Sequence, residues 1–101
     1  MFIVEIFLPL GAKNGTAFSQ TSFDEQKALL VEKFGGLTVY ARAPAEGLWD
    51  DGDQTVADSI VVFEVIADEL DHEWWRSYRE MLEERFDQDS IVIRATASSL
   101  L

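Results

Sequence analysis

Glu5, Tyr40, Arg42, Glu64 and Arg94 carry the only chemistry in this 101-residue sequence that strand alternation gathers in one place. An arginine in such a set holds an anionic or carbonyl oxygen, and a glutamate stripped of water acts as a base. The same five residues also form an ion-pair network able to fix the register of two paired copies. Other reactive groups offer less. His72, the sole histidine, sits between Asp71 and Glu73 at the start of a helical stretch, where a histidine is a solvated surface residue, and no Ser-His-acid order can be built on it. Asp50, Asp51 and Asp53 surround Gly52 without the alternating ligands and distant glutamate of a calcium loop, so they read as turn chemistry. Trp49 either stacks on a ligand or, as the simpler reading, anchors its loop on its own domain. Gly35-Gly36 closes a helix instead of opening one and is no phosphate loop. The expected complement of cofactors and metals is therefore none.

Composition narrows the classes further. Nineteen acids against eight bases give a net charge of −11, which repels phosphate backbones and anionic headgroups over about a Debye length, so neither nucleic acid nor a membrane surface is an expected partner. No cysteine is present, which removes disulfides, thiolate metal sites and cysteine nucleophiles. The N-terminal Met-Phe-Ile-Val-Glu has no basic leader, and no apolar run reaches the ~20 residues of a membrane span. A soluble, cytoplasmic protein of one domain over residues 1–101 is expected.

The elements that must position the five residues are legible in order. The densest apolar run, Asp58 to Ala67, reads as a strand with both faces at least partly covered, Glu64 being the one acid set among Ile60, Val62 and Ile66. Residues 2 to 10 alternate and end at Pro9 and Gly11. Gly11 to Thr21 has no periodicity and reads as a mobile surface loop. Ser22 with Glu25 makes a capping box, so a helix is expected from Ser22 to the left-handed stop at Gly35, with Phe23, Leu30, Val31 and Phe34 on one side and Lys27 in the same stripe. Leu37 to Arg42 alternates again and Pro44 closes it, leaving 44–57 as an irregular excursion or wide hairpin. Asp68 or Asp71 caps a second helix running to about Asp87, with Trp74, Trp75, Tyr78, Met81, Leu82 and Phe86 on one arc. A last strand starts near Ser90.

Strand, helix, strand, strand, helix, strand is the β-α-β-β-α-β order of the ferredoxin-like α+β fold, a four-stranded antiparallel sheet with two helices on one face. One register of every strand is wholly apolar and must face the helices: Phe2, Val4, Ile6, Leu8; Leu37, Val39, Ala41; Val61, Phe63, Val65; Ile91, Ile93, Ala95. The other face then collects Ile3, Phe7, Ile60, Val62, Ile66 and Val92 around the five polar residues. That face is too apolar for open water.

The whole chain resembles the dimeric α+β barrel group, and Gly35-Gly36-Leu37-Thr38 followed by Gly47-Leu48-Trp49 is similar to a pattern in small bacterial domains of that fold. The resemblance implies a homodimer paired sheet to sheet around a cavity. It also implies a range of activities: cofactor-independent monooxygenases, lactone isomerases, haem-binding enzymes and proteins with no assigned reaction. The haem branch requires an axial histidine, and His72 lies away from the open face. The expectation is a self-associating protein, ligand-binding or accessory through the open sheet face, able to take a small apolar ligand. The alternatives are a monooxygenase-like or isomerase-like enzyme on a small apolar or aromatic molecule, and an interaction module whose acidic second helix meets a basic protein.

Overall fold

The computed structural model describes residues 1–12, 16–51 and 54–101, with the backbone alone over 41–51 and 54–59. The expected order is observed: β1 (Phe2–Pro9), α1 (Gln20–Phe34), β2 (Thr38–Asp51), β3 (Gln54–Ala67), α2 (His72–Arg85) and β4 (Ile93–Ala97). The strands form one antiparallel sheet in the order β2-β3-β1-β4. This is the ferredoxin-like α+β arrangement. The apolar register predicted for each strand supplies the core: Val4, Ile6, Leu8, Val61, Phe63, Val65 and Ile91 are buried with Leu30, Tyr78, Leu82 and Phe86 of the helical layer. Leu37, Val39 and Ile93 pack against them. Ala95 departs from the expectation and is exposed on the edge strand. The Ala41 side chain lies outside the described residues.

α1 begins one turn before the expected start. Ser19, extended at ψ 148°, is the N-cap, and its hydroxyl accepts from the Ser22 N–H at 3.4 Å. Ser22 is thus inside the helix, and Asp24 and Glu25 fall beyond its first turn. Asp24 instead takes the Gln20 amide at 3.0 Å and lies 3.9 Å from Lys27. The stop is as expected: Gly35 is left-handed at φ 81° and its N–H returns to the Val31 carbonyl. Residues 10 to 18, expected as an aperiodic loop, are tied at their base. The Phe18 N–H donates to the Leu10 carbonyl at 3.2 Å, Gly11 and Ala17 form a bridge, and Phe18 sets its ring edge-on to Phe86 at 5.1 Å.

Of the two alternatives for residues 44–57, the hairpin is the one observed: β2 and β3 continue as a long ladder from Ala45↔Ile60 to Asp51↔Gln54, with a register shift between Tyr40 and Ala45. Pro44 lies within that shift on an edge strand, where a missing N–H costs no interior ladder bond. Asp50 and Asp51 are strand residues, Trp49 pairs with Val56, and Gly52 and Asp53 lie outside the described residues, as does the Trp49 side chain.

α2 is capped by Asp71, whose carboxylate takes the Trp74 N–H at 3.1 Å. It ends at Phe86, followed by Asp87 in the left-handed region at φ 48°. The Gln88 N–H reaches the Glu83 carbonyl and the Asp87 N–H the Glu84 carbonyl, the paired bonds of a Schellman stop. Between the helices, the Tyr78 hydroxyl donates to the Gln26 side-chain oxygen at 2.9 Å. Gln26, 4% exposed, replaces Val31 in the buried stripe of α1, and Val31 is left open to solvent. Tyr78→Phe leaves that amide oxygen buried without a donor and should cost about 1–3 kcal/mol, whereas the double change Tyr78→Phe with Gln26→Leu should recover most of the loss in urea titrations. Burial also pushes the Tyr78 phenol well above its ordinary value of 10. An unfolded tyrosine ionises from about pH 10 while the folded one stays neutral, so this contribution is complete below pH 10 and is lost as pH rises further. Stability measured at pH 8 and about pH 11 should fall more steeply in the native protein than in the Tyr78→Phe variant.

Candidate functional site

The cross-strand register fixes how the open face is built. One row runs Arg94, Glu5, Glu64, Thr38 across β4, β1, β3 and β2. The next runs Phe7, Val62, Tyr40, with the Phe7 N–H bonded to the Val92 carbonyl at the β4 side. Ile3, flanked by Thr96 and Ile66, forms the row on the other side. Four of the five predicted residues are therefore neighbours or one row apart. The Arg42 side chain lies outside the described residues.

The charged row is one cation short. Glu5 and Glu64 stand directly opposite each other on the paired central strands, an arrangement that like charges disfavour. Arg94 answers Glu5: its Nε donates to Oε1 at 3.0 Å, and its guanidinium lies 4.9 Å from the centre of the Phe7 ring. Glu64 has no hydrogen-bonding or ionic partner among the described residues. The Arg94–Glu5 pair is largely solvated, so Arg94→Ala should change the unfolding free energy by less than about 1 kcal/mol in denaturant titrations.

Around this row the face is apolar. Val62 is nearly buried, whereas Ile66 at 46% and Val92 at 56% exposure stand open beside half-buried Ile3, Phe7 and Ile60. Tyr40 is exposed and directly opposite Val62, its hydroxyl without a partner among the described residues. A shallow depression of about 320 Å³ opens at one end of the face, where the close of α1 meets the start of β2. Phe34, Gly36, Leu37, Thr38, Glu64 and Ile66 are among the residues that line it. The glycine pair, read from sequence only as a helix stop, thus also borders a concavity holding the unpaired carboxylate.

A second depression, about 200 Å³, lies on the helix side of the edge strand between Leu70, His72, Trp75, Ile93 and Ala95. His72 is exposed there, away from the open face as expected. Among the described residues no group of three or more His, Asp or Glu side chains is placed to hold a metal ion, and no helix is long and apolar enough to cross a membrane.

No family model matches the chain, and no curated protein matches it. Among solved structures it is similar to a phage SAM lyase in complex with S-methyl-5'-thioadenosine, at a TM-score of 0.60 and 16% identity, covering 94% of this chain and 79% of that one. It is likewise similar to a phage SAM lyase in the apo state, at a TM-score of 0.61 and 16% identity, covering 94% and 78%. At this identity the likeness is one of fold.

Proposed function

We propose that this is a self-associating, small-ligand-binding protein that works through its open sheet face, a second copy covering part of that face. The observation that carries the reading is the face itself: Ile66 and Val92 stand open beside half-buried Ile3 and Phe7 around a charged row, and soluble monomers rarely leave such a surface in water. Arg94, Glu5, Glu64 and Tyr40 give that surface the few directional groups that a binding site or a paired interface needs. Native mass spectrometry of the purified protein, read beside the denatured sample, tests the pairing and would reveal a carried ligand. The reading expects twice the 11.4 kDa chain mass, with or without a reproducible small passenger. A bare monomer would count against it.

A second reading is favoured by the two solved neighbours, both titled as SAM lyase and both aligned over 94% of this chain. On that reading the open face and its depression act on S-adenosylmethionine, and this replaces the oxygenase or isomerase chemistry as the enzymatic alternative. Incubating the protein with S-adenosylmethionine and separating the products by chromatography decides it. Formation of S-methyl-5'-thioadenosine that Glu64→Gln abolishes in a correctly folded protein supports an enzyme, and unchanged substrate counts against this reading.

A further inference from the structure

The geometry points to a specific ligand class for the depression beside Glu64: a small organic cation with apolar substituents, such as a quaternary ammonium or a sulfonium. This rests on the reading of the open face as a ligand surface and names what that surface selects.

Two independent sources of negative potential meet there. The first is the Glu64 carboxylate, which lines the depression without a partner because the one described cation of its row, Arg94, is held by Glu5 on the far side. The second is the end of α1. Gly35 satisfies the Val31 carbonyl, but the helix provides no further N–H for the carbonyls of Glu32, Lys33 and Phe34, and this end of the helix favours positive charge. Among the described residues, the basic side chain in the last turn of α1 is engaged elsewhere. Lys33 lies over the Trp74 ring, its ammonium 4.5 Å from the ring centre and 5.9 Å from that of Phe34.

The walls decide what kind of cation fits. Leu37, Ile66 and the Phe34 ring offer apolar contact, and one carboxylate with the Thr38 hydroxyl and the helix-end carbonyls falls short of the all-oxygen shell that a bare calcium or magnesium ion takes. A cation whose charge is wrapped in methyl or methylene groups loses little hydration on entering and gains contact with those walls. The volume of about 320 Å³ is at the small end of ligand sites and suits such a molecule. Gly36 keeps the mouth clear: its φ is not in the left-handed region, and a Cβ there would meet no atom within 4 Å. Neither conformation nor crowding demands glycine at this position.

The test uses choline and its uncharged isostere 3,3-dimethylbutan-1-ol, each titrated into the isotopically labelled full chain while amide signals are followed by NMR. Choline should shift Gly35, Gly36 and Thr38 saturably and bind about ten-fold more tightly than the alcohol, the combined effect of carboxylate, helix end and ring. The preference should vanish in Glu64→Gln. Gly36→Leu should block both probes without loss of fold, which keeps the inference testable if the Glu64 variant does not fold. Equal affinity for the two probes, choline binding unchanged in Glu64→Gln, or no shift at those amides with either probe overturns it. A protein that fails this test yet still pairs and carries a passenger loses only the cation assignment, whereas a bare monomer removes the reading beneath it.

Discussion

Phe86→Ala should be the most damaging single substitution, lowering the unfolding free energy by about 3–5 kcal/mol in urea titrations. Phe86 is fully buried at the end of α2, and its ring meets the edge of Phe18 at 5.1 Å and the ring of Phe23 at 5.3 Å. One side chain thus ties the base of the 10–18 loop and the first turn of α1 to the second helix. Its removal leaves a cavity bordered by three segments that cannot all collapse into it, and each lost ring pair adds to the area term. A domain of this size has roughly 5–15 kcal/mol in total, so the variant should be marginal at 37 °C. Leu82→Ala, also at a fully buried position, should follow at about 2–5 kcal/mol. A loss below about 1 kcal/mol for Phe86→Ala, outside the range for a buried ring, would mean that the packing between α1 and α2 is not as described.

Ile66→Lys should leave the fold intact and disrupt self-association. Ile66 is 46% exposed on the open face, directly opposite Ile3 and bordering the depression that holds Glu64, so its replacement removes nothing from the core. In a paired face it would place an ammonium in a desolvated apolar contact, and the loss expected at such a central position is about 2 kcal/mol or more, at least ~30-fold in the dissociation constant. Equal urea midpoints measured at a concentration where the native protein is monomeric, with a weakened association constant, would separate this surface effect from a folding defect. Because the added lysine lies beside Glu64, the same variant should also lower affinity for choline.

Much of this was legible in the sequence because each strand has one register with no polar residue in it. Val4 to Leu8, Val61 to Val65 and Ile91 to Ile93 supply the core as alternation requires, while Phe2 at the start of β1 stays outside it. The Gly35 stop was equally plain, since glycine takes the left-handed conformation that ends a helix without the steric cost of a Cβ. The start of α1 was not, because Ser19 and Ser22 are both competent caps three residues apart, and the earlier one prevails once Phe18 and Phe23 both pack on Phe86. Residues 44–57 left a hairpin and an irregular excursion both open, because proline and glycines end an interior strand, whereas β2 is an edge strand and accommodates Pro44 at a register shift. Gln26 was missed because helical periodicity counts it as polar, while its partner Tyr78 lies 52 residues away. Trp75, on the same expected arc as Leu82, is only half-buried, its ring stacked on Phe34 at 5.3 Å.

The site was legible in composition and not in contact. Alternation put Glu5, Tyr40, Glu64 and Arg94 on one face, but it does not give which strand neighbours which, and the imbalance follows from that order. With β1 between β4 and β3, Arg94 reaches Glu5 and leaves Glu64 without a cation among the described residues. The depression could not be seen at all from sequence, since it exists only where the end of α1 passes the β2–β3 pair.

Sedimentation equilibrium on the native chain beside Ile66→Lys tests the central claim most directly. A covered open face predicts a native mass of twice 11.4 kDa at micromolar concentration and a shift toward the single-chain mass in the variant. A native protein that stays at 11.4 kDa across the same range, with Ile66 and Val92 open to water, would contradict it.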